Sequence, residues 1–163
     1  ELRAVFRPGL RASEVGPVVR AIIRRRRTRP IETTGELVEV LRSVFGPESL
    51  KSDRRIAAAF AALRSAVNEE YEALHQGMLT AVRLLKPGGM LVIITFQGSE
   101  VRVVLQTARA LRGGPSGPPR LAGAPELPPQ VELLTGRGLA VSESEARSNP
   151  AARSARLHAL RKL

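Results

Sequence analysis

The sequence contains no cysteine and no tryptophan among its 163 residues. Without cysteine there is no disulfide framework, no thiolate metal ligand and no thiol nucleophile. Aromatics are scarce: Phe6, Phe45, Phe60, Tyr71 and Phe96 are all there are. That argues against a protein that stacks a long file of single-stranded bases on aromatic faces. The apolar run Met90-Leu91-Val92-Ile93-Ile94 is far too short to span a bilayer, so no membrane partner is expected. Residues 1–20 show no apolar core with a small-residue cleavage site, so no secretory signal is visible. The two histidines, His75 and His158, have no carboxylate at metal or triad spacing. Both read as surface residues, and no metal is expected.

Positive charge is abundant by contrast. There are 26 Lys and Arg against 15 Asp and Glu, a net charge of +11 at neutral pH. Such an excess points to a polyanionic partner, most simply nucleic acid. At 43% hydrophobic residues the chain can bury a core, which excludes wholesale disorder. The length suits one domain, or a small domain with part of another.

Apolar spacing divides the chain. Val15, Val18, Val19, Ile22 and Ile23 predict a helix through Arg27, ended at Arg29-Pro30. A second helix starts at Thr33 or Thr34, with Glu36 placed for a capping box. It carries Leu37, Val40, Leu41 and Val44 to the stop at Gly46-Pro47. From Asp53 to about Leu85, Ile56, Phe60, Leu63, Val67, Tyr71, Leu74, Met78, Val82 and Leu85 predict one long helix. The stripe of Phe60, Leu63, Val67 and Tyr71 reads as core. Lys86-Pro87-Gly88-Gly89 lacks the spacing of a phosphate loop and reads as a structural turn. It leads into a buried strand, Met90 to Phe96. Ser99 to Arg112 is helical again, with Ser99 as N-cap and Glu100 favouring the dipole. In residues 113–130, 10 of 18 are Pro or Gly, the composition of a loop or linker. A short strand at Val131–Leu134, a helical turn over Ser142–Arg147 and an Arg/Ala-rich tail complete the chain.

Four stretches, taken in order, resemble one family. They are Ile31-Glu32-Thr33-Thr34-Gly35-Glu36-Leu37, Phe60-Ala61-Ala62-Leu63-Arg64-Ser65-Ala66-Val67-Asn68-Glu69-Glu70, Leu84 to Phe96 through Gly88-Gly89, and Asn149-Pro150-Ala151-Ala152-Arg153-Ser154-Ala155-Arg156-Leu157. Together they are similar to motifs of the MraW-type methyltransferases, which modify the exocyclic amine of a cytosine in small-subunit ribosomal RNA.

The resemblance covers nearly the whole chain but only the second half of the family. It implies an α/β fold: the back half of a doubly wound AdoMet-methyltransferase-like domain plus an inserted helical bundle. Residues 1–75 would be the inserted domain and 76–112 a helix–strand–helix of the methyltransferase-like domain. Residues 113–130 would be the Pro/Gly-rich loop, and 131–163 the terminal strand and basic tail. The glycine-rich AdoMet turn and acidic ribose ligand of a first βαβ half have no counterpart here. The implied cofactor is S-adenosylmethionine, with its binding residues unknown. The implied partners are small-subunit rRNA and ribosomal or assembly proteins.

Candidate catalytic residues are Glu100 and Asn68; a polar mid-helix face explains Asn68 nearly as well. Candidate RNA-binding residues are Arg24, Arg25, Arg26, Arg27, Arg102, Arg153 and Arg156. RNA contact is favoured over a solvated helix end for the first four, while for the last two RNA or cofactor-side contact and ordinary packing or salt-bridging stand level. Where the family has histidine, serine and aspartate after its core strand, this chain has Gln97, Gly98 and Val101. Gln97 cannot titrate and Val101 cannot accept a proton. The resemblance thus leaves two functions open: an rRNA methyltransferase, or a non-catalytic relative serving ribosome assembly or structure. A DNA-binding module is a third, because basic helices suit either nucleic acid. The diverged motifs and the Pro/Gly insertion favour the mitochondrial matrix, with the bacterial cytoplasm as the alternative.

Overall fold

The computed structural model describes residues 1–47, 50–113 and 128–163. The fold is mixed α/β and divides into two compact units, Glu1–Glu70 and Tyr71–Leu163. The Pro/Gly-rich stretch expected as a loop falls mostly outside the described residues.

The first unit holds α1 (Leu2–Phe6), α2 (Ala12–Thr28), α3 (Thr34–Phe45) and α4 (Leu50–Val67). Its core gathers Phe6, Leu10, Val18, Ile22, Leu41, Ile56 and Ala59, all buried. α2 ends as expected where Arg29 turns extended ahead of Pro30. α3 begins with the predicted capping box: Glu36 N donates to Thr33 Oγ1 at 3.2 Å, and Thr33 N donates to Glu36 Oε2 at 3.1 Å. It ends at Gly46, whose φ of +91° suits a residue without a Cβ.

The long helix predicted from Asp53 to Leu85 is instead two, α4 and α5 (Glu70–Leu84). The chain leaves the helical path at Asn68-Glu69, where Glu69 takes a left-handed φ of +52°. Glu70 fixes the break by accepting from Arg64 Nε and Ser65 Oγ, each at 2.8 Å. Side-chain spacing alone could not show this, because the apolar period runs straight through it. The stripe shifts as well. α4 buries Ser52, Ile56, Ala59, Ala62 and Ser65, while Val67, expected in the core, is 80% exposed.

The second unit packs α5 and α6 (Gly98–Leu111) with a sheet of β1 (Met90–Thr95), β2 (Val131–Leu133), β3 (Leu139–Ala140) and β4 (Arg156–Lys162). A short α7 (Glu143–Ser148) and a 3₁₀ turn at Pro150–Ala152 precede β4. β4 lies at the centre, antiparallel to β1 along one edge and to β2 and β3 along the other. The expected basic tail is therefore the middle strand. Its alternation is masked in sequence by Arg156, Arg161 and Lys162 at its ends.

Register pairs Leu91 with Leu160 and Ile93 with His158. Leu160, Val131, Val104, Ala108, Met78 and Val82 form the core of this unit. β1 is not the buried strand expected. It pairs only with β4 among the described residues, and Met90, Val92, Ile94 and Phe96 are 53, 52, 58 and 54% exposed. Only its alternate residues Leu91, Ile93 and Thr95 face the core. The Lys86–Gly89 turn is structural: Gly88 N donates to Lys162 O at 2.9 Å, and Lys162 N to Gly89 O at 2.8 Å.

Because Leu160 is fully buried on the middle strand, Leu160→Ala should cost about 2–5 kcal/mol of unfolding free energy. Urea denaturation followed by circular dichroism measures it. A cost under about 1 kcal/mol would contradict the central placement of β4.

Candidate functional site

The carboxyl end of β1 is where an open α/β sheet presents a ligand. Here Thr95 is buried, Phe96 exposed and Gln97 half-buried before α6 begins. Glu100 reaches back over this turn. Its Oε2 accepts from Phe96 N at 2.7 Å and from Gln97 N at 3.1 Å. These bonds satisfy amides that the helix start would otherwise leave unpaired. Oε1 of Glu100 has no partner among the described residues and stays available at the rim.

The N-cap is Gln97 rather than Ser99. Ser99 is buried a little further into the helix, where its hydroxyl accepts from the Tyr71 hydroxyl at 2.9 Å. This pairing of α5 with α6 had no signal in the spacing of either residue.

Neither histidine is a free surface group. His75 is half-buried, with Nδ1 2.7 Å from Thr107 Oγ1. His158 is fully buried on β4. Its Nε2 lies 3.1 Å from Thr95 Oγ1, which in turn is 3.4 Å from Arg156 O. One ordering satisfies both contacts: Nε2–H donates to Thr95, and the Thr95 hydroxyl donates to the carbonyl. That leaves Nδ1 unprotonated, and it is buried with no partner among the described residues. Gly138, at φ +91°, lies flat against the ring; a Cβ there would come within 2.6 Å of Cε1. Burial, reinforced by the nearby Arg156 charge, pushes the His158 pKa below its ordinary value and holds the ring neutral.

Asn68 belongs to the first unit, at the break after α4. Its side-chain amide donates to Glu70 Oε1 at 3.4 Å. The bonds from Arg64 and Ser65, then that from Asn68, hold the Glu70 carboxyl below the usual carboxylate range.

The arginines differ in availability. Arg25 pairs with Glu36 at 3.3 Å, and Arg29 joins the same carboxylate at 2.9 Å. Arg24, Arg26 and Arg27 are exposed and have no acidic partner among the described residues. Arg102 on α6 and Arg153 after the 3₁₀ turn are likewise exposed and unpaired by acid. Arg156 sits opposite Thr95 in the sheet and donates to Gly138 O at 3.4 Å. Of the candidates, Glu100 closes the turn after β1 beside Phe96 and Gln97, and Arg156 lies opposite Thr95 at the same end of the sheet with its guanidinium turned to Gly138. No group of His, Asp and Glu suited to a metal ion occurs among the described residues.

The sequence profile of the MraW methylase family matches residues 1–163. The chain belongs to that family. The ribosomal RNA small subunit methyltransferase H of Symbiobacterium thermophilum is 38% identical over 90% of this chain and 46% of its own length. That of Caulobacter vibrioides is 38% identical over 85% of this chain and 45% of its own. That of Geotalea daltonii is 40% identical over 87% of this chain and 46% of its own. The chain thus spans a little under half the length of these MraW relatives.

Two outcomes test the buried histidine. A histidine with a lowered folded-state pKa binds its proton more readily when unfolded. Its contribution is complete above the unfolded value near 6.5 and is lost as pH falls below that. Melting temperature should therefore drop more steeply from about pH 7 to 5 in the native protein than in His158→Gln. Equal slopes would show that the ring stays accessible to protons. Separately, Gly138→Ala should cost about 1–3 kcal/mol, and less in a His158→Ala background, in a double-mutant denaturation cycle.

Proposed function

We propose that this chain is part of an AdoMet-dependent enzyme that methylates N4 of a cytosine in small-subunit rRNA. The observation that carries the reading is the family match along the entire chain, with relatives bearing that RNA in their names. In this reading residues 1–75 are the inserted helical domain. Residues 76–163 supply the closing strands and helices of a doubly wound catalytic domain.

AdoMet asks for a glycine-rich turn after a strand and an acid for its ribose hydroxyls. The carboxyl end of β1 offers Phe96, Gln97 and a carboxylate already bonded to two backbone amides. These residues do not fit the cofactor by themselves. Its cradle is assigned to the part of the relatives' length that this chain does not span. This chain's share is the rim: an exposed ring at Phe96, the amide of Gln97, the second oxygen of Glu100 and the cation of Arg156. Such groups orient a target base and its backbone; none is placed as a nucleophile.

A second reading rests on Gln97, Gly98 and Val101, which have replaced titratable or hydroxyl groups of the family. It keeps the basic surface and the ribosomal partner and gives up catalysis. Either reading places the protein where small ribosomal subunits are made, the mitochondrial matrix or the bacterial cytoplasm. The bacterial sources of the relatives lend weight to the latter.

Calorimetric titration of the whole protein with AdoMet, paired with a labelled-methyl assay on small-subunit RNA, separates the two. The enzyme reading expects saturable binding and transfer to a cytosine. A folded protein that binds small-subunit RNA but neither binds AdoMet nor transfers methyl would leave the non-catalytic reading.

A further inference from the structure

The first unit carries a basic cleft that the family motifs do not touch. α1 and the start of α2 enclose an open space of about 480 Å³, lined by Arg3, Arg7, Ser13, Gly16, Pro17 and Arg20 among others. Arg3 and Arg7 are four residues apart, one turn along the same helical face. Arg20 comes from α2, and its Nη1 lies back over Gly16, 3.3 Å from where a Cβ would stand there. All three guanidinium side chains are exposed, and none has an acidic partner among the described residues.

The acid in the first turn of α2 is turned elsewhere. Glu14 Oε2 accepts from Arg11 N at 3.0 Å and its Oε1 pairs with Arg55 Nε at 3.0 Å. It lines a different cleft, beside Arg11, Lys51 and Arg54. That second cleft is basic as well, but it contains its own carboxylate. The Arg3–Arg7–Arg20 cleft has none among its lining residues.

The backbone holding these arginines is fixed. Phe6 is fully buried and Leu10 nearly so, which pins α1 and the following turn to the core around Val18 and Ile22. Three forked cations on an anchored scaffold, with no internal counter-charge, match the spaced anions of a sugar-phosphate chain. The anchored backbone fixes the spacing of their Cα positions before a ligand arrives, while the exposed side chains are ordered on binding.

We propose that this cleft binds the phosphodiester backbone of RNA and positions it against the first unit. The inference deepens the functional reading above and rests on it for the identity of the RNA. It also places the principal phosphate contacts on α1 and the first half of α2, ahead of the run Arg24–Arg27. Nucleic-acid contact here is backbone contact, so it governs affinity and register and not base choice.

The test uses the whole protein and fluorescence anisotropy with two probes, a fragment of small-subunit rRNA and a single-stranded homopolymer RNA. The triple variant R3Q/R7Q/R20Q should lower the slope of log affinity against log salt by about 2, at roughly 0.7 per phosphate contact on a single strand. Affinity at moderate salt should fall about tenfold or more, and R3K/R7K/R20K should recover the slope. R11Q/K51Q/R54Q removes the same net charge from the neighbouring cleft and should change the slope much less. Thermal melts check that all variants fold.

Equal losses in the two glutamine triples, or no loss in the first while the native protein binds the rRNA fragment, would overturn the cleft and leave the proposed function standing. If the native protein shows no preference for the rRNA fragment, yet the first triple alone loses homopolymer binding, the cleft stands and the ribosomal reading falls.

Discussion

Strand β4 is hydrogen-bonded along both edges, and the second unit is organised around that fact. Among the described residues, β1 on one side and β2 with β3 on the other have no ladder with one another; each is held by the same seven residues, Arg156–Lys162. Leu160 then ties the sheet to the apolar faces of α5 and α6 through Met78, Val82, Val104 and Ala108. At the far end of the same strand, His158 and the Arg156 carbonyl fix Thr95. The direction in which β1 delivers Phe96 and Gln97 thus depends on a strand more than fifty residues away in sequence.

Charge is distributed unevenly over this framework. Glu100 holds two backbone amides, and several other acids hold arginine. Glu36 secures Arg25 and Arg29 at the start of α3, Glu14 secures Arg55, and Glu70 secures Arg64 at the break after α4. Glu36 and Glu70 both lie below the usual carboxylate range. Backbone amides of Glu32 and Thr33 are the leading causes for Glu36, and the Arg64 and Ser65 side chains for Glu70. Arg147 and Arg161 also pair, with Glu143 and Glu132, whereas Arg3, Arg7, Arg20, Arg24, Arg26, Arg27, Arg102 and Arg153 are exposed with no acidic partner among the described residues, so the excess positive charge lies at the surface.

Much of the helical layout was legible in the sequence, because its signals are local. Arg29-Pro30, the Thr33–Glu36 box and Gly46 mark helix ends through backbone chemistry that acts within a few residues. The break at Asn68-Glu69 was hidden because it depends on Glu70 collecting side chains from the preceding turn, not on any breaker residue. β4 was hidden because its pairing partners are distant and its ends are basic. The burial of His158 followed β4 into obscurity: a histidine flanked by Arg156 and Arg161 looks like surface until both strand edges are paired. At the candidate site, Phe96, Gln97 and Glu100 could be found by motif. The commitment of Glu100 to two backbone amides could not, since it is a matter of how the turn closes.

The contact between Gly138 and His158 bears on how this chain can change over generations. A side chain at position 138 and an imidazole at position 158 compete for the same few ångströms. The two positions therefore cannot drift independently. With histidine in place, residue 138 has little choice but glycine. Losing the histidine first opens room there, although φ at 138 still favours glycine. A lineage passing through larger residues at 138 would have to accept a smaller one at 158 beforehand. The order of substitutions in this part of the molecule is constrained by a single packed ring.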